Sequence, residues 1–289
     1  MTWQTLIFSR IILSYILFPV FFKKAADLPF KIKQQFYIYS FSIFLALIYA
    51  LYVGNLILSW VFLVVIIIGL ANSLAFYFDL RAVNISQSKS SVFAITTDFS
   101  AIILAFIFLK EFQYFNKNLA VGLTLIIISA GIFAYGSRQE LKQTKKFFMY
   151  VLGFSAIWGI ITVFERVFAF NGLPFATFGL AWYAGSWLGA LMLLQFKAGI
   201  KEKTHKLTGP EKLNSLGVGS FIWLSMLLGY LALRITPLSI YEPFFIISQI
   251  IFPVLIGLFV FKEIKKVKTL DIVAFALAII SGAIIAFSF

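Results

Sequence analysis

Three charged side chains stand inside long runs of apolar residues, where a charge is costly unless it has a partner or a function. Asp98 lies in AITTDFSAII, about eight residues into its run, and Arg10 lies in FSRIILSYIL. Glu242 stands in SIYEPFF, near the start of a later run. A carboxylate binds protons or cationic groups, and the planar guanidinium of arginine binds carboxylates through two parallel hydrogen bonds. These residue types indicate proton or ligand binding.

Each of these residues also has a structural alternative. Asp98 either lines a cavity as a proton- or substrate-responsive group, or it forms a structural hydrogen bond to a neighbouring helix. Arg10 is its natural counter-ion, or it extends to the membrane surface. Glu242 caps a helix N-terminus or lies at a substrate gate. Three uncharged residues lie well inside their runs, and the predicted substrate-binding set is Arg10, Asp98, Trp158, Tyr183, Glu242 and Gln249.

Several kinds of chemistry lack the residues they require. The chain has no cysteine, and its one histidine is His205, in the longest polar stretch. It has no GxxxxGK[ST] phosphate-binding loop. A carboxylate pair of Asp98 with Glu242 or Asp79 lacks the Gly-Asp context expected of an intramembrane aspartyl protease. We therefore predict that the protein is not an enzyme and that it has no cofactor and no metal site.

The composition indicates which environment the chain folds in. Apolar residues make up 62% of the 289 and charged residues only 12%, against roughly 45–50% and 25% in soluble domains. About 20 apolar residues cross a bilayer as a helix, and continuous runs exclude an alternating β-barrel pattern. We predict an all-α integral membrane protein with ten transmembrane helices, at about residues 3–22, 35–54, 57–79, 90–109, 117–136, 147–167, 174–196, 214–234, 238–261 and 270–288.

The positive charges follow the order of these segments. The loops that join segments 1–2, 3–4, 5–6, 7–8 and 9–10 contain 19 of the 24 Lys and Arg residues. Lys and Arg concentrate on the cytoplasmic side of a membrane, so this distribution indicates topology rather than nucleic-acid binding, despite the net charge of +13. We predict a multi-pass plasma-membrane protein with both termini outside. The first segment, without a basic start, is not expected to be a removable signal peptide.

The second half of the chain repeats features of the first half in the same order. Two apolar runs end in Lys-Glu, at Glu111 and Glu263, which are 152 residues apart. We predict an internal duplication of five plus five helices, with repeats at residues 1–140 and 145–289. Because five is odd, the second repeat is inverted, as in secondary transporters. The other matching stretches are LRAVNIS at 80–86 with LRITPLS at 233–239, and SAGIFAY at 129–135 with SGAIIAF at 281–287.

Ten short helices in two such repeats resemble the drug/metabolite transporter superfamily, specifically its EamA-type members. The resemblance rests on the helices that close in Glu111 and Glu263, on LRAVNIS, and on SAIWGII at residues 155–161, which is similar to a Trp-Gly motif of the family. It covers nearly the whole chain. It implies a secondary transporter that moves a small organic solute by alternating access, with export of an amino acid or another metabolite as the expected activity.

A second function class stays open at this point, namely a non-transporting membrane scaffold or lipid-handling protein. The expected partners of the chain are a small-molecule substrate and the lipid bilayer, without nucleic acid, and a homodimer stays open. The mixed charges of Arg10 and Asp98 fit a zwitterionic solute better than a lipophilic cation. A polar cavity around these two residues would favour the transporter, whereas dry packing would favour the scaffold.

Overall fold

The described part of the chain is helical, because a backbone in lipid must satisfy its polar groups within each segment. The computed structural model describes residues 2–137, 141–196, 206–262 and 268–286, together with Ile200, Glu202 and Thr204. Within these ranges there is no β-strand. The predicted all-α fold class is confirmed.

Helices α1 to α5 span Trp3–Asp27, Lys31–Val53, Trp60–Ile85, Gln87–Leu109 and Lys117–Ser137. Helices α6 to α10 span Leu141–Phe170, Phe175–Gln195, Gly209–Leu233, Leu238–Val260 and Thr269–Ala286. Among the described residues, eight helices are long and apolar enough to cross a membrane, namely all except α5 and α10. The described apolar stretches of α5 and α10 are shorter, at Lys117–Ser129 and Ile272–Ser281.

Several helices continue beyond the apolar run that predicts them. Helix α1 extends to Asp27, and α2 already begins at Lys31. Lys and Gln are good helix formers, so a helix need not end where its residues become polar. Thr208 is the N-cap of α8. Its hydroxyl accepts from the Glu211 backbone N–H, and the Glu211 carboxylate accepts from the Thr208 backbone N–H.

The chain forms two compact units, each built from two separate stretches of sequence. Unit 1 consists of Met1–Leu80 and Phe164–Ile235, and unit 2 consists of Arg81–Val163 and Thr236–Phe289. Each unit therefore takes helices from both predicted repeats, so the compact units do not coincide with the sequence repeats. The repeat boundaries themselves stay a prediction.

Unit 1 contains two helix pairs that pack through glycine against a neighbouring backbone. A Cβ atom on Gly69 of α3 would lie 2.4 Å from the Trp182 carbonyl oxygen of α7. A Cβ atom on Gly219 of α8 would likewise lie 2.7 Å from the Ile38 carbonyl oxygen of α2. Such distances are too short for any side chain, so these helices approach each other at backbone contact, as small residues allow in membrane proteins.

Unit 2 contains an exchange of hydrogen bonds between α5 and α10. The Ser129 hydroxyl donates to the Ala274 carbonyl at 2.6 Å, and the Ser281 hydroxyl donates to the Gly122 carbonyl at 2.6 Å. Moving from Ser129 back to Gly122 on one helix thus corresponds to moving forward from Ala274 to Ser281 on the other. Helices α5 and α10 therefore run antiparallel.

The repeated Lys-Glu pair has a backbone role. Lys110 and Lys262 are the non-glycine residues with a left-handed backbone in the described ranges, both at φ 56°. This conformation commonly ends helices. It turns the chain after α4 so that the Glu111 carboxylate accepts from the backbone N–H groups of Leu238 at 3.3 Å and Ser239 at 2.9 Å. Glu111 thus caps α9, which is a structural role; Glu263 lies outside the described residues.

Candidate functional site

The first group of polar side chains in the membrane segments surrounds Arg10. Arg10 lies seven residues into α1, which places it about 10 Å along the helix at 1.5 Å per residue. Its guanidinium interacts electrostatically with the carboxylate of Glu165 in α6 and with the phenol of Tyr183 in α7. We define the Arg10 site as Arg10, Glu165, Tyr183 and Tyr230, which interact electrostatically and all belong to unit 1.

The backbone of α1 departs from α-helical geometry directly after Arg10. Residues Ile12–Leu17 form a π-helical segment, a local widening that occurs frequently at functional sites. Ser14 in this segment forms a 2.5 Å hydrogen bond with Ser225 of α8. The contact fixes the widened turn of α1 against α8, the helix that supplies Tyr230 to the Arg10 site.

Glu165 is the buried carboxylate of this site. Its side chain is only 5% exposed, and it lies about 7.5 Å from the end of α6 at Phe170. Its Oε1 atom has no hydrogen-bond partner in the described part of the chain. A buried polar atom without a partner is costly, so an incomplete carboxylate marks a place where a ligand or a proton would lower the free energy.

Aromatic side chains form the rest of the Arg10 site. The Tyr183 hydroxyl donates to the Ile222 carbonyl at 2.9 Å, next to Trp223. The Trp223 ring lies 5.7 Å from that of Tyr49 and 6.3 Å from that of Phe175, measured between centroids. Its buried Nε1–H finds no acceptor among the residues described. The Arg10 site thus combines opposite charges with a carboxylate oxygen that has no partner among the described residues.

Unit 2 contains a second polar group, centred on Asp98. The Gln249 side-chain amide donates to an Asp98 carboxylate oxygen at 2.9 Å, and Asp98 is 7% exposed. Next to it, the Ser155 hydroxyl of α6 lies 2.7 Å from that of Thr96 and 3.1 Å from that of Thr97. Two predicted site residues are therefore brought together, although the sequence does not indicate their pairing.

The other predicted residues are distributed between the two units. Tyr183 lies in the Arg10 site, whereas Trp158 lies in unit 2, where its ring is 5.3 Å from that of Phe154. Glu242 is buried near the start of α9 at 5% exposure. Arg10 belongs to unit 1 and Asp98 to unit 2, and each has a polar partner within its own unit. The predicted pairing of Arg10 with Asp98 stays a prediction.

The sequence does not indicate the partners of Glu165 and Arg166. Their adjacency near a helix end suggests that they lie together at the membrane interface, but the two side chains have different partners. Arg166 donates to the Leu233 carbonyl at the end of α8, and its guanidinium lies 4.6 Å from the Phe170 ring centroid. The carboxylate of Glu165 interacts electrostatically with Arg10. The sequence feature that Glu165 shares with Arg10 is its position within about two turns of a helix end.

No metal centre is formed by the described residues, because no three or more of their Asp, Glu and His side chains come close enough together. The Arg10 site instead combines a guanidinium and a carboxylate that interact electrostatically with the phenols of Tyr183 and Tyr230. No family model matches the chain, and no curated protein matches it significantly.

Proposed function

We propose that this protein is a secondary transporter of small organic solutes that works by alternating access. The observation that carries the proposal is the buried carboxylate of Glu165, which interacts electrostatically with Arg10 within membrane-type helices and whose Oε1 has no hydrogen-bond partner among the described residues. Charges at such positions typically line the path of a substrate or an ion. A scaffold protein would have no need for a buried carboxylate oxygen and an indole N–H without partners.

An inverted repeat is part of the proposal, and unit 2 supports it. Ser129 and Ser281 are 152 residues apart, and so are their acceptors Gly122 and Ala274. Reciprocal contacts between equivalent residues are what a two-fold axis produces. Because α5 and α10 run antiparallel, this axis is perpendicular to the helices. A ten-helix protein with repeats related by an axis in the membrane plane has this property.

Unit 1 supports the same relation for helices in which the sequence alone reveals no repeat. The Ser42 hydroxyl donates to the Ile38 carbonyl at 3.1 Å, and the Ser186 hydroxyl donates to the Trp182 carbonyl at 2.9 Å. Both serines and both carbonyls are 144 residues apart. Each carbonyl also lies against the glycine of a neighbouring helix, and these two glycines are 150 residues apart. These contacts support an extension of the proposed duplication to α2 with α7 and to α3 with α8.

Membership of the EamA-type drug/metabolite transporters is proposed on this architecture and on the motifs in the sequence. The proposed location is the plasma membrane, with the Lys-rich loops in the cytoplasm. Cysteine labelling tests this orientation on a chain without native cysteine. An impermeant thiol reagent added outside cells should label Asn171→Cys and should leave Lys206→Cys unlabelled. The reverse result would overturn the proposed orientation.

The transport proposal is tested with purified protein in proteoliposomes. We expect counterflow of at least one radiolabelled solute from a panel of amino acids, organic acids and amines. Arg10→Gln should abolish it, whereas the matched variant Arg234→Gln, at an exposed arginine of unit 1, should retain it. Equal activity of these two variants would exclude the Arg10 site, and no counterflow across the panel would contradict the transporter proposal.

A further inference from the structure

We propose that the turn between α2 and α3 inserts its apolar side chains into the interfacial layer of the lipid bilayer. We define the α2–α3 tip as residues 51–60, which lead from the end of α2 at Val53 to the start of α3 at Trp60. The tip lies entirely in unit 1. This lipid contact is independent of the transport function proposed above.

The α2–α3 tip contains the most exposed large apolar side chains of the described chain. The four highest exposures of such side chains among the described residues are those of Tyr52 at 90%, Leu51 at 75%, Leu58 at 73% and Trp60 at 73%. Leu56 and Ile57, within the turn, are also exposed. A contiguous apolar patch on a protein surface marks a contact with a membrane or with another protein. The tip therefore needs a cover that the described chain does not supply.

The sequence around the tip carries no charge. Lys, Arg, Asp and Glu are all absent from the 45 residues between Lys33 and Asp79, so no charged side chain has to stay in water. Tyr and Trp are enriched where a membrane meets water, because their rings combine an apolar body with a polar group. Tyr52 and Trp60 stand on either side of the turn. This composition is typical of a segment at the headgroup level of a bilayer.

The backbone of the turn finds hydrogen-bond partners within the protein. Gly54 ends α2 in the left-handed conformation at φ 69°, and its N–H donates to the Ala50 carbonyl at 3.0 Å. The Ile57 N–H donates to the hydroxyl of Thr177, a buried residue of α7, at 2.8 Å. Backbone donors that leave water need such partners. These two bonds thus lower the cost of placing the turn among lipid molecules.

A second copy of the chain is the other candidate for covering the tip. A stable protein–protein interface takes about 20–30 residues from each partner, whereas the tip is a short turn between two helices. Both of these helices are long and apolar enough to cross a membrane. The lipid that surrounds them therefore reaches the tip directly. Lipid is the partner that this surface fits best.

The test uses the full-length protein, which has no native cysteine. Leu58→Cys is labelled with an NBD fluorophore and reconstituted in phosphatidylcholine vesicles, with the quencher iodide on both sides or with lipids brominated on their acyl chains. Ile67→Cys, at an exposed apolar position inside α3, and Lys206→Cys, at an exposed position in a Lys-rich loop, are the lipid and water controls.

We expect the label at Leu58 to behave as a group at the boundary of headgroups and acyl chains. Iodide should quench it about threefold less than the label at Lys206, and brominated lipid should quench it about twofold more. Because the tip has no charge, this quenching should change by less than about 1.5-fold when anionic phosphatidylglycerol is added or when salt is raised from about 0.1 M to 1 M.

Several results would overturn the inference. Equal iodide quenching of the labels at Leu58 and Lys206 would place the tip in water. Protection from both quenchers would also overturn it, and loss of that protection on dilution of the protein in lipid would identify a second copy as the partner. Quenching that requires anionic lipid would contradict an apolar contact. Tyr52→Cys gives the same readout from the α2 side of the turn if Leu58→Cys fails to fold, and no arm of the test depends on counterflow.

Discussion

The close packing of α3 on α7 predicts a severe effect of one methyl group. A Cβ atom added at Gly185 would lie 2.1 Å from the carbonyl oxygen of Ile66 and 3.0 Å from the Cα atom of Gly69. A carbon atom approaches such an oxygen to about 3.3 Å, so the two helices would have to separate locally by about 1 Å. Because both contacts are backbone atoms, no rotamer change relieves the clash. We expect Gly185→Ala to lower the free energy of unfolding by about 2–3 kcal/mol.

A second glycine provides the control for this substitution. A Cβ atom at Gly131, in α5, would meet nothing within 4 Å, and alanine is a better helix former by up to about 1 kcal/mol. Gly131→Ala should therefore be neutral or slightly stabilising. Stability is measured by far-UV circular dichroism during SDS titration of detergent-solubilised protein. If Gly185→Ala unfolds at the same SDS fraction as wild type, the backbone contact described for α3 and α7 is wrong.

Five further substitutions, at four positions, test the other contacts. Ser129→Ala and Ser281→Ala each remove one of two equivalent hydrogen bonds. Each should lower the free energy of unfolding by about 0.5–1.5 kcal/mol in the same SDS titration. A neutral effect of one substitution beside a large effect of the other would contradict the two-fold relation. Glu111→Ala should lower the free energy of unfolding by about 1–2 kcal/mol, because α9 loses its cap, and Glu111→Gln should lower it by less. If both variants are as stable as wild type, the capping role is wrong. Asp98→Asn should lower counterflow and flatten its pH dependence, because the asparagine side chain does not titrate. Unchanged counterflow with an unchanged pH profile would limit Asp98 to its structural hydrogen bond with Gln249.

Hydropathy predicts the helical segments because each run of about 20 apolar residues has one low-energy solution in lipid. It does not predict where the helices end, since this depends on caps formed by residues distant in sequence. The start of α2, for example, is capped by Glu202, whose carboxylate accepts from the backbone N–H groups of Ile32 at 2.8 Å and Lys33 at 3.1 Å. No local pattern around Lys31 indicates that partner.

The site was partly predictable for a related reason. The cost of a charge in lipid identifies Asp98 and Arg10 from sequence alone. It does not identify their partners, because a partner is determined by which helices pack together. Gln249 was predicted as a site residue and binds Asp98, whereas the electrostatic interaction of Glu165 with Arg10 was not predicted. Helix pairing is the information that a single sequence lacks.

The discontinuity of the two units has a consequence for biosynthesis. Asp98 enters the membrane 151 residues before its partner Gln249, which corresponds to about 8–30 s at 5–20 residues per second. During this interval α4 and α5 are present without α9 and α10, the helices that complete unit 2. The nascent chain thus passes through a stage at which a carboxylate and a serine hydroxyl await their partners. A ribosome that stalls in the second half would leave an intermediate that lacks Gln249 and Ala274, so neither Asp98 nor Ser129 could form the hydrogen bond it has in the folded protein.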